Sequence, residues 1–259
     1  MSTATAAMLE VDSLALRVTG RTLLRELDLE VRPGELWCII GANGAGKTLF
    51  LHTVVGLRTV QSGSIALAGR ALARWTLADA ARLRGFLPQS TYHAFSMRVI
   101  DAVMMGRHPY LSRWQWEGDD DRLRALAALR EVGVDELADR DILTLSGGER
   151  QRVCIAALLA QEVPLLLLDE PVSHLDLKHQ LAVLASLRAL ADAGRAVMLS
   201  IHDLNLAYQF ATHVMLFRGK GEVATGRVEA VMEEDALSDA LGCRVSRVSA
   251  GNRALFLPV

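Results

Sequence analysis

The chain has 259 residues, 51% of them apolar and 5% aromatic, which suits one large α/β domain, or one domain with a small lobe, filled by Val, Ile, Leu and Ala. A formal charge of −2, from 28 basic and 30 acidic residues, provides no electrostatic footprint for nucleic acid. Cys38, Cys154 and Cys243 are too scattered for a disulfide framework or a zinc pattern, and the first two, inside apolar runs, read as small buried hydrophobes.

The opening residues MSTATAAMLEVD hold no charged segment followed by an apolar stretch, so no signal peptide is expected. No run approaches the roughly 18–20 apolar residues that span a bilayer. Any membrane role must therefore come through a partner. Leu9 to Val18 and Leu24 to Val31 alternate partly and predict strands, separated by a turn at Gly20. Pro33-Gly34 makes a turn into a short buried strand, Glu35 to Ile40. A glycine-rich loop follows, then a helix from about Lys47 that stops at Gly56. Ser64 to Leu67 predicts another strand, and Thr76 an N-cap.

From about Ser90 to Gln161 the pattern turns helical, at Val99–Met105, Asp121–Glu131 and Gly148–Gln161. Pro109, Trp114, Trp116 and Gly118 mark an irregular stretch between the first two. Next come an apolar strand, Val163–Leu168, a long amphipathic helix, Leu177–Ala193, and a buried strand, Ala196–Ile201. Strands alternating with helices predict a mostly parallel sheet covered on both faces. The tail from Gly219 predicts short strands around one helical stretch, Val228–Leu241.

Gly41-Ala-Asn-Gly-Ala-Gly-Lys-Thr48 fits the strand–loop–helix phosphate pattern. Its glycines let backbone N–H groups turn inward on phosphate oxygens, and the following helix adds the positive end of its dipole. Gly41, Asn43, Gly44, Ala45 and Gly46 form this cradle. Lys47 reaches the β- and γ-phosphates of ATP, and Thr48 ligates Mg²⁺. The apolar strand before Asp169-Glu170 ends in two carboxylates. Asp169 is expected to hold Mg²⁺ and Glu170 to orient the attacking water, since phosphoryl transfer needs mainly positioning and charge neutralisation.

Leu145-Ser-Gly-Gly-Glu-Arg-Gln-Arg152 resembles the signature sequence of ATP-binding cassette proteins. Three further segments resemble that family in register: Gln89 in Phe-Leu-Pro-Gln-Ser, Ser173-His-Leu-Asp176, and His202 in Leu-Ser-Ile-His-Asp. The resemblance implies a P-loop NTPase fold of class α/β, with a mostly parallel sheet, an N-terminal antiparallel β region and an inserted helical subdomain. One cassette domain would span residues 1–259, its core at about 1–89 and 162–259 and its helical subdomain at about 90–161. It implies two chains paired head to tail as a homodimer. Ser146, Gly147, Gly148 and Asp176 then serve the ATP of the opposite chain. Gln89 touches Mg²⁺ and the attacking water, and His202 contacts the γ-phosphate as a catalytic residue beside Glu170.

The family often places an aromatic residue against adenine, at the position Val18 occupies here, so that ring is missing. Ala42, Glu149 and Val172 replace a common proline, glutamine and threonine, and none of these changes removes a catalytic group.

A finer resemblance, in Met105–Leu111, His174–Gln180 and His202–Ala207, points to importers of iron–siderophore complexes, haem or cobalamin. The compact Gln161–Pro164 segment tilts the reading towards siderophore or corrinoid cargo. Such systems add two integral membrane permease subunits and an extracytoplasmic substrate-binding protein. The cassette sits peripherally on the cytoplasmic face of the bacterial inner membrane. Tyr92, Phe95, Tyr110, Trp114 and Trp116 make about Ser90 to Trp116 the expected permease contact. The plainer reading has these rings packing the helical lobe. Alternatives are an exporter motor, or a cassette ATPase acting on DNA or ribosomes, which the single cassette and lack of a basic face disfavour.

Overall fold

The computed structural model describes residues 6–90, 95–111, 117–251 and 253–259. Strand β1 (Leu9–Val18) pairs antiparallel with β2 (Arg21–Leu24) and β3 (Leu29–Val31). The sequence predicts one strand from Leu24 to Val31, and the structure breaks it at Arg25–Asp28. The reason lies across the sheet. β1 loses register between Asp12 and Ala15, Ser13 turns to φ 47°, and its N–H donates to Asp28 Oδ1 at 2.8 Å. An extra residue bends the strand that carries it, and at the bend Ser13 meets the Asp28 side chain in place of a backbone partner.

β4 (Leu36–Gly41) runs straight into the glycine loop and α1 (Lys47–Val55). Gly56 closes α1 in the left-handed conformation, as a C-terminal glycine should. β5 (Ser62–Leu67) and β6 (Arg70–Ala71) complete the antiparallel sheet with β1. Thr76 caps α2 (Leu77–Ala81) by accepting from Asp79 N–H, and β7 (Arg84–Leu87) follows.

The middle of the chain is helical: α3 (Val99–Met104), α4 (Asp119–Glu131) and α5 (Gly147–Leu159). The stretch after Met105, expected to be irregular, begins in a short 3₁₀ turn, Met105–Tyr110. Arg107 pins that turn, donating to the Ala160 carbonyl at 2.7 Å and to Asp121 and Glu162 at 3.1 Å each. Its guanidinium lies 4.3 Å from the Tyr110 ring centre, and the Tyr110 hydroxyl donates to the Gln161 carbonyl at 2.6 Å. For Tyr110, then, the plainer reading holds: the ring packs the lobe. Phe95 is 76% exposed, and Tyr92, Trp114 and Trp116 lie outside the described residues.

β8 (Leu165–Leu168), α6 (Leu177–Asp192), β9 (Ala196–Ser200), α7 (Leu204–Phe210) and β10 (His213–Gly219) return the chain to the α/β pattern. β11 (Glu222–Arg227), α8 (Val228–Val231), α9 (Glu234–Leu241) and the hairpin β12 (Val245–Ala250) and β13 (Arg253–Pro258) form the tail. The single helix expected over Val228–Leu241 is broken at Met232–Glu233, where Met232 turns inward and is fully buried.

The main sheet has the order β11-β10-β4-β9-β8-β7, parallel throughout except for the edge strand β11. Its side chains alternate between two cores, as the period of a strand requires. Leu36, Cys38 and Ile40, with Leu166, Leu168, Val197 and Leu199, face the apolar cluster under the helical lobe, α6, α7 and α9. Trp37 and Ile39, with Leu165, Leu167, Ala196 and Met198, face α1 and the antiparallel sheet. Cys38 and Cys154 are both buried, and burial pushes the Cys38 thiol up to about 12. The parallel order puts the ends of β4, β7, β8 and β9 on one edge, where open α/β sheets bind ligands.

Candidate functional site

The loop after β4 is shaped by its glycines. Gly41 sits at φ 152°, where an added Cβ would lie 2.8 Å from Phe217 Cβ, and Gly46 sits at φ 115° ahead of α1. No side chain caps α1 and its first turn holds no acid, so its N-terminal N–H groups face the loop's concavity. Lys47 is 6% exposed and folds back over the loop, its ammonium donating to the Gly41 and Ala42 carbonyls at 2.8 and 3.2 Å. Burial lowers the Lys47 pKa, and the charges of Glu170 and Asp169 oppose that shift.

A cavity of about 610 Å³ opens above this loop. Its wall includes Asn43, Gly44, Gly46, Lys47 and Thr48 from the loop and helix, and Gln89, Glu170 and His202 from the ends of β7, β8 and β9. Glu170 is the hub. Its Oε2 accepts from Gln89 Nε2 at 3.0 Å, and its Oε1 lies 2.6 Å from His202 Nε2. Gly41 and Ala45 flank the cavity within the same loop, Ala45 packed on the core beneath it. Asp169 stands just below, fully buried, its Oδ2 without a hydrogen-bond partner among the described residues.

Beyond Glu170 the chain is braced by side-chain amides. Gln151 of α5 donates to the Pro171 carbonyl at 2.9 Å and Gln180 of α6 to the Val172 carbonyl at 3.0 Å. Ser173 Oγ donates to the Glu170 carbonyl at 3.1 Å.

The structure does not bring every expected residue to this cavity. Ser146, Gly147, Gly148 and Asp176 are not on its wall. Ser146 caps α5 in a reciprocal box with Glu149: its N–H donates to Glu149 Oε2 at 2.8 Å and its Oγ accepts from Glu149 N–H at 3.3 Å. The Ser146 hydroxyl and N–H hold the Glu149 carboxyl below its usual range. Asp176 caps α6, accepting from His179 N–H at 3.0 Å with His179 Nδ1 2.7 Å away. That N–H and the imidazole lower the Asp176 carboxyl, and both caps are exposed.

Val18 and Leu23 supply an apolar part of the same cavity's wall. Among the described lining residues the rings are the imidazoles of His202, already engaged by Glu170, and of His52, edge-on to Phe86 at 5.6 Å. The sequence reading passed over the polar wall residues His52 and Arg58, and the buried Ser200 behind the carboxylates. Only Ser200 left a sequence signal, as a hydroxyl ending an otherwise apolar strand.

A glycine-rich phosphate loop facing strand-end carboxylates across a parallel sheet defines a P-loop ATPase. The family model for ABC transporters matches residues 24–173. The Hemin import ATP-binding protein HmuV of Gloeobacter violaceus is 42% identical over 242 residues, covering 91% of this chain and 87% of its own length. The Probable siderophore transport system ATP-binding protein YusV of Bacillus subtilis is 34% identical, covering 96% and 92%. An inward-facing structure of a metal-chelate type ABC transporter superposes with a TM-score of 0.85 at 26% identity, covering 98% of each chain. The chain belongs to the ABC transporter family, as an ATP-hydrolysing cassette subunit.

Proposed function

We propose that this chain is the peripheral ATPase of a bacterial importer for metal chelates, an iron–siderophore complex, haem or cobalamin. The observation that carries the ATPase part is the convergence of Gln89 and His202 on Glu170, within the cavity that Lys47 and Thr48 line. Import of a chelate is supported by the hemin and siderophore relatives and by the three motif segments read in the sequence. The hemin relative keeps haem level with the siderophore and corrinoid cargo that the compact Gln161–Pro164 segment favoured.

In this reading the loop N–H groups and Lys47 hold the triphosphate. Lys47 exchanges its loop carbonyls for phosphate oxygens, a better partner for a buried ammonium. Glu170 orients the attacking water, and His202 holds Glu170 and meets the γ-phosphate. Thr48, Gln89 and Asp169 would hold Mg²⁺. Their oxygen donors suit a hard cation, and the buried Asp169 Oδ2 has an uncommitted lone pair to offer. When bound, Mg²⁺ neutralises charge building on the β- and γ-phosphate oxygens.

Ser146, Gly147, Gly148 and Asp176 lie off the chain's own cavity, and their exposed caps suit service to the ATP of a second copy in a head-to-tail homodimer. Residues of about 90–161 act as the lobe that meets two permease subunits, through which an extracytoplasmic binding protein delivers cargo. An apolar groove of about 240 Å³ between Phe86, Pro88, Met105, Cys154 and Ala157 borders that lobe, and Met105 is exposed on its wall. Among the described residues no helix is long and apolar enough to cross a membrane, which suits attachment at the cytoplasmic face through the permease.

The test is transport by the purified complex of this chain and its permease in vesicles. ATP-dependent uptake of a ferric siderophore, haem or cobalamin is expected. Outward transport, or co-purification with ribosomes and no permease, would overturn the proposal.

A further inference from the structure

β9 is apolar from Ala196 to Leu199 and then ends in Ser200, which is 0% exposed. A hydroxyl buried this deeply is costly unless it is hydrogen-bonded. The pairing of Leu168 with Leu199 places Ser200 beside Asp169. Its Oγ donates to Asp169 Oδ1 at 2.6 Å and accepts from the Glu170 N–H at 2.8 Å. One side chain therefore serves both acidic residues at the end of β8.

The two bonds act on different degrees of freedom. At Asp169 the donated proton commits Oδ1 and leaves Oδ2 as the oxygen without a partner among the described residues. At Glu170 the accepted N–H fixes a peptide whose residue stands at φ 49°, a left-handed conformation that side chains other than glycine enter at a cost. The Glu170 side chain leaves that fixed point to reach Gln89 and His202.

We propose that Ser200 is a positioning residue for the Mg²⁺-dependent hydrolysis of ATP. It selects the Asp169 oxygen offered to the cation and sets the backbone from which Glu170 reaches water. This rests on the assignment of Asp169 to Mg²⁺ made above. A residue that only filled core space would matter through its volume; Ser200 matters through its hydroxyl.

The test measures affinity of the purified full-length chain for a fluorescent ATP analogue, with Mg²⁺ and with EDTA, alongside kcat. Ser200→Ala leaves Asp169 Oδ1 and the Glu170 N–H without their shared partner. The Mg²⁺-to-EDTA affinity ratio should fall at least about fivefold and kcat at least about tenfold, with the EDTA affinity little changed. Ser200→Thr and Ser200→Val have nearly the same shape and differ in the hydroxyl. The Thr variant should keep the ratio within about threefold, and the Val variant should fall like Ala. An unchanged ratio in Ser200→Ala, or equal ratios in the Thr and Val variants, would overturn the inference. Asp169→Asn separates the two levels of the argument. If it abolishes the Mg²⁺ dependence while Ser200→Ala does not, the Ser200 inference alone fails. If it leaves that dependence intact, the assignment of Asp169 itself fails.

Discussion

His202 Nε2 lies 2.6 Å from Glu170 Oε1, so an imidazole from the end of β9 and a carboxylate from the end of β8 form one unit across neighbouring strands. Gln89 approaches the other oxygen of the same carboxylate from the end of β7. Three strands thus contribute one group each to the point where water would be held. Glu170→Gln keeps the size of the group but removes its charge. Binding of ATP should persist, while turnover falls by about 10²-fold or more, the usual scale for losing a positioned base. ATPase assays together with dimer mass in the presence of ATP check this, the expected product being an ATP-trapped dimer. Near-normal turnover would remove Glu170 from its assigned role.

The off-cavity position of Ser146 predicts complementation between defective chains. Ser146→Arg and Lys47→Ala chains should each be inactive alone. Mixed, they should form dimers with one doubly damaged site and one intact site, and part of the activity should return. A chain that keeps full activity at dilutions where light scattering finds only monomer would rule out a shared site.

Val18 and Leu23 put an aliphatic wall on the cavity, and Val18 holds the position where the family often supplies a ring for adenine. Affinity should therefore rest on the triphosphate, with weak discrimination between ATP and GTP. Val18→Tyr adds stacking surface and should tighten ATP several-fold, since aromatic contacts are worth about 1 kcal/mol. Turnover at saturating ATP should change much less, because a base contact is nearly equal in ground and transition states. Titration of both nucleotides against both proteins decides the matter. Strong ATP preference in the parent with no gain in the variant would shift attention to the His52 ring.

Arg107 ties the 3₁₀ turn to Asp121 of α4 and to Glu162 ahead of β8, and its side chain is 7% exposed. Arg107→Ala leaves the largely buried Asp121 carboxylate with only the Gly118 N–H bond and frees the Ala160 carbonyl. Unfolding in urea should show a loss of about 3 kcal/mol, in the range for breaking a buried pair from one side. A loss below about 1 kcal/mol would class the network with exposed surface pairs.

Much of this organisation is legible in the sequence because it is written in local terms. The alternation Leu36, Trp37, Cys38, Ile39, Ile40 is continuous apolar text, and a strand buried on both faces needs nothing else. Asp169-Glu170 follows such a strand directly, so its location is fixed by chain order alone. The break at Met232–Glu233 had no such marker, since no proline or glycine stands there. It arises from docking Met232 into the core, a tertiary demand. Ser200 was passed over for a related reason: its two partners are 31 and 30 residues away in the chain, so its role exists only once β8 and β9 are side by side. His52 and Arg58 join the cavity wall by the same route, through packing that no spacing rule encodes.

Gln151 reaches the Pro171 carbonyl from the second turn of α5, the helix that Ser146 begins. A helix of 13 residues is a strut about 20 Å long that transmits displacement with little loss. Its first turn is exposed at Ser146, and its side is tied to the carbonyl of Pro171, the residue after Glu170. On the proposed reading, in which the lobe meets a permease and Glu170 orients water, a pull on the lobe reaches the turn that carries Glu170 through this one hydrogen bond. In that reading, cargo arrival on the far side of the bilayer sets the tempo of hydrolysis through one amide-to-carbonyl tether.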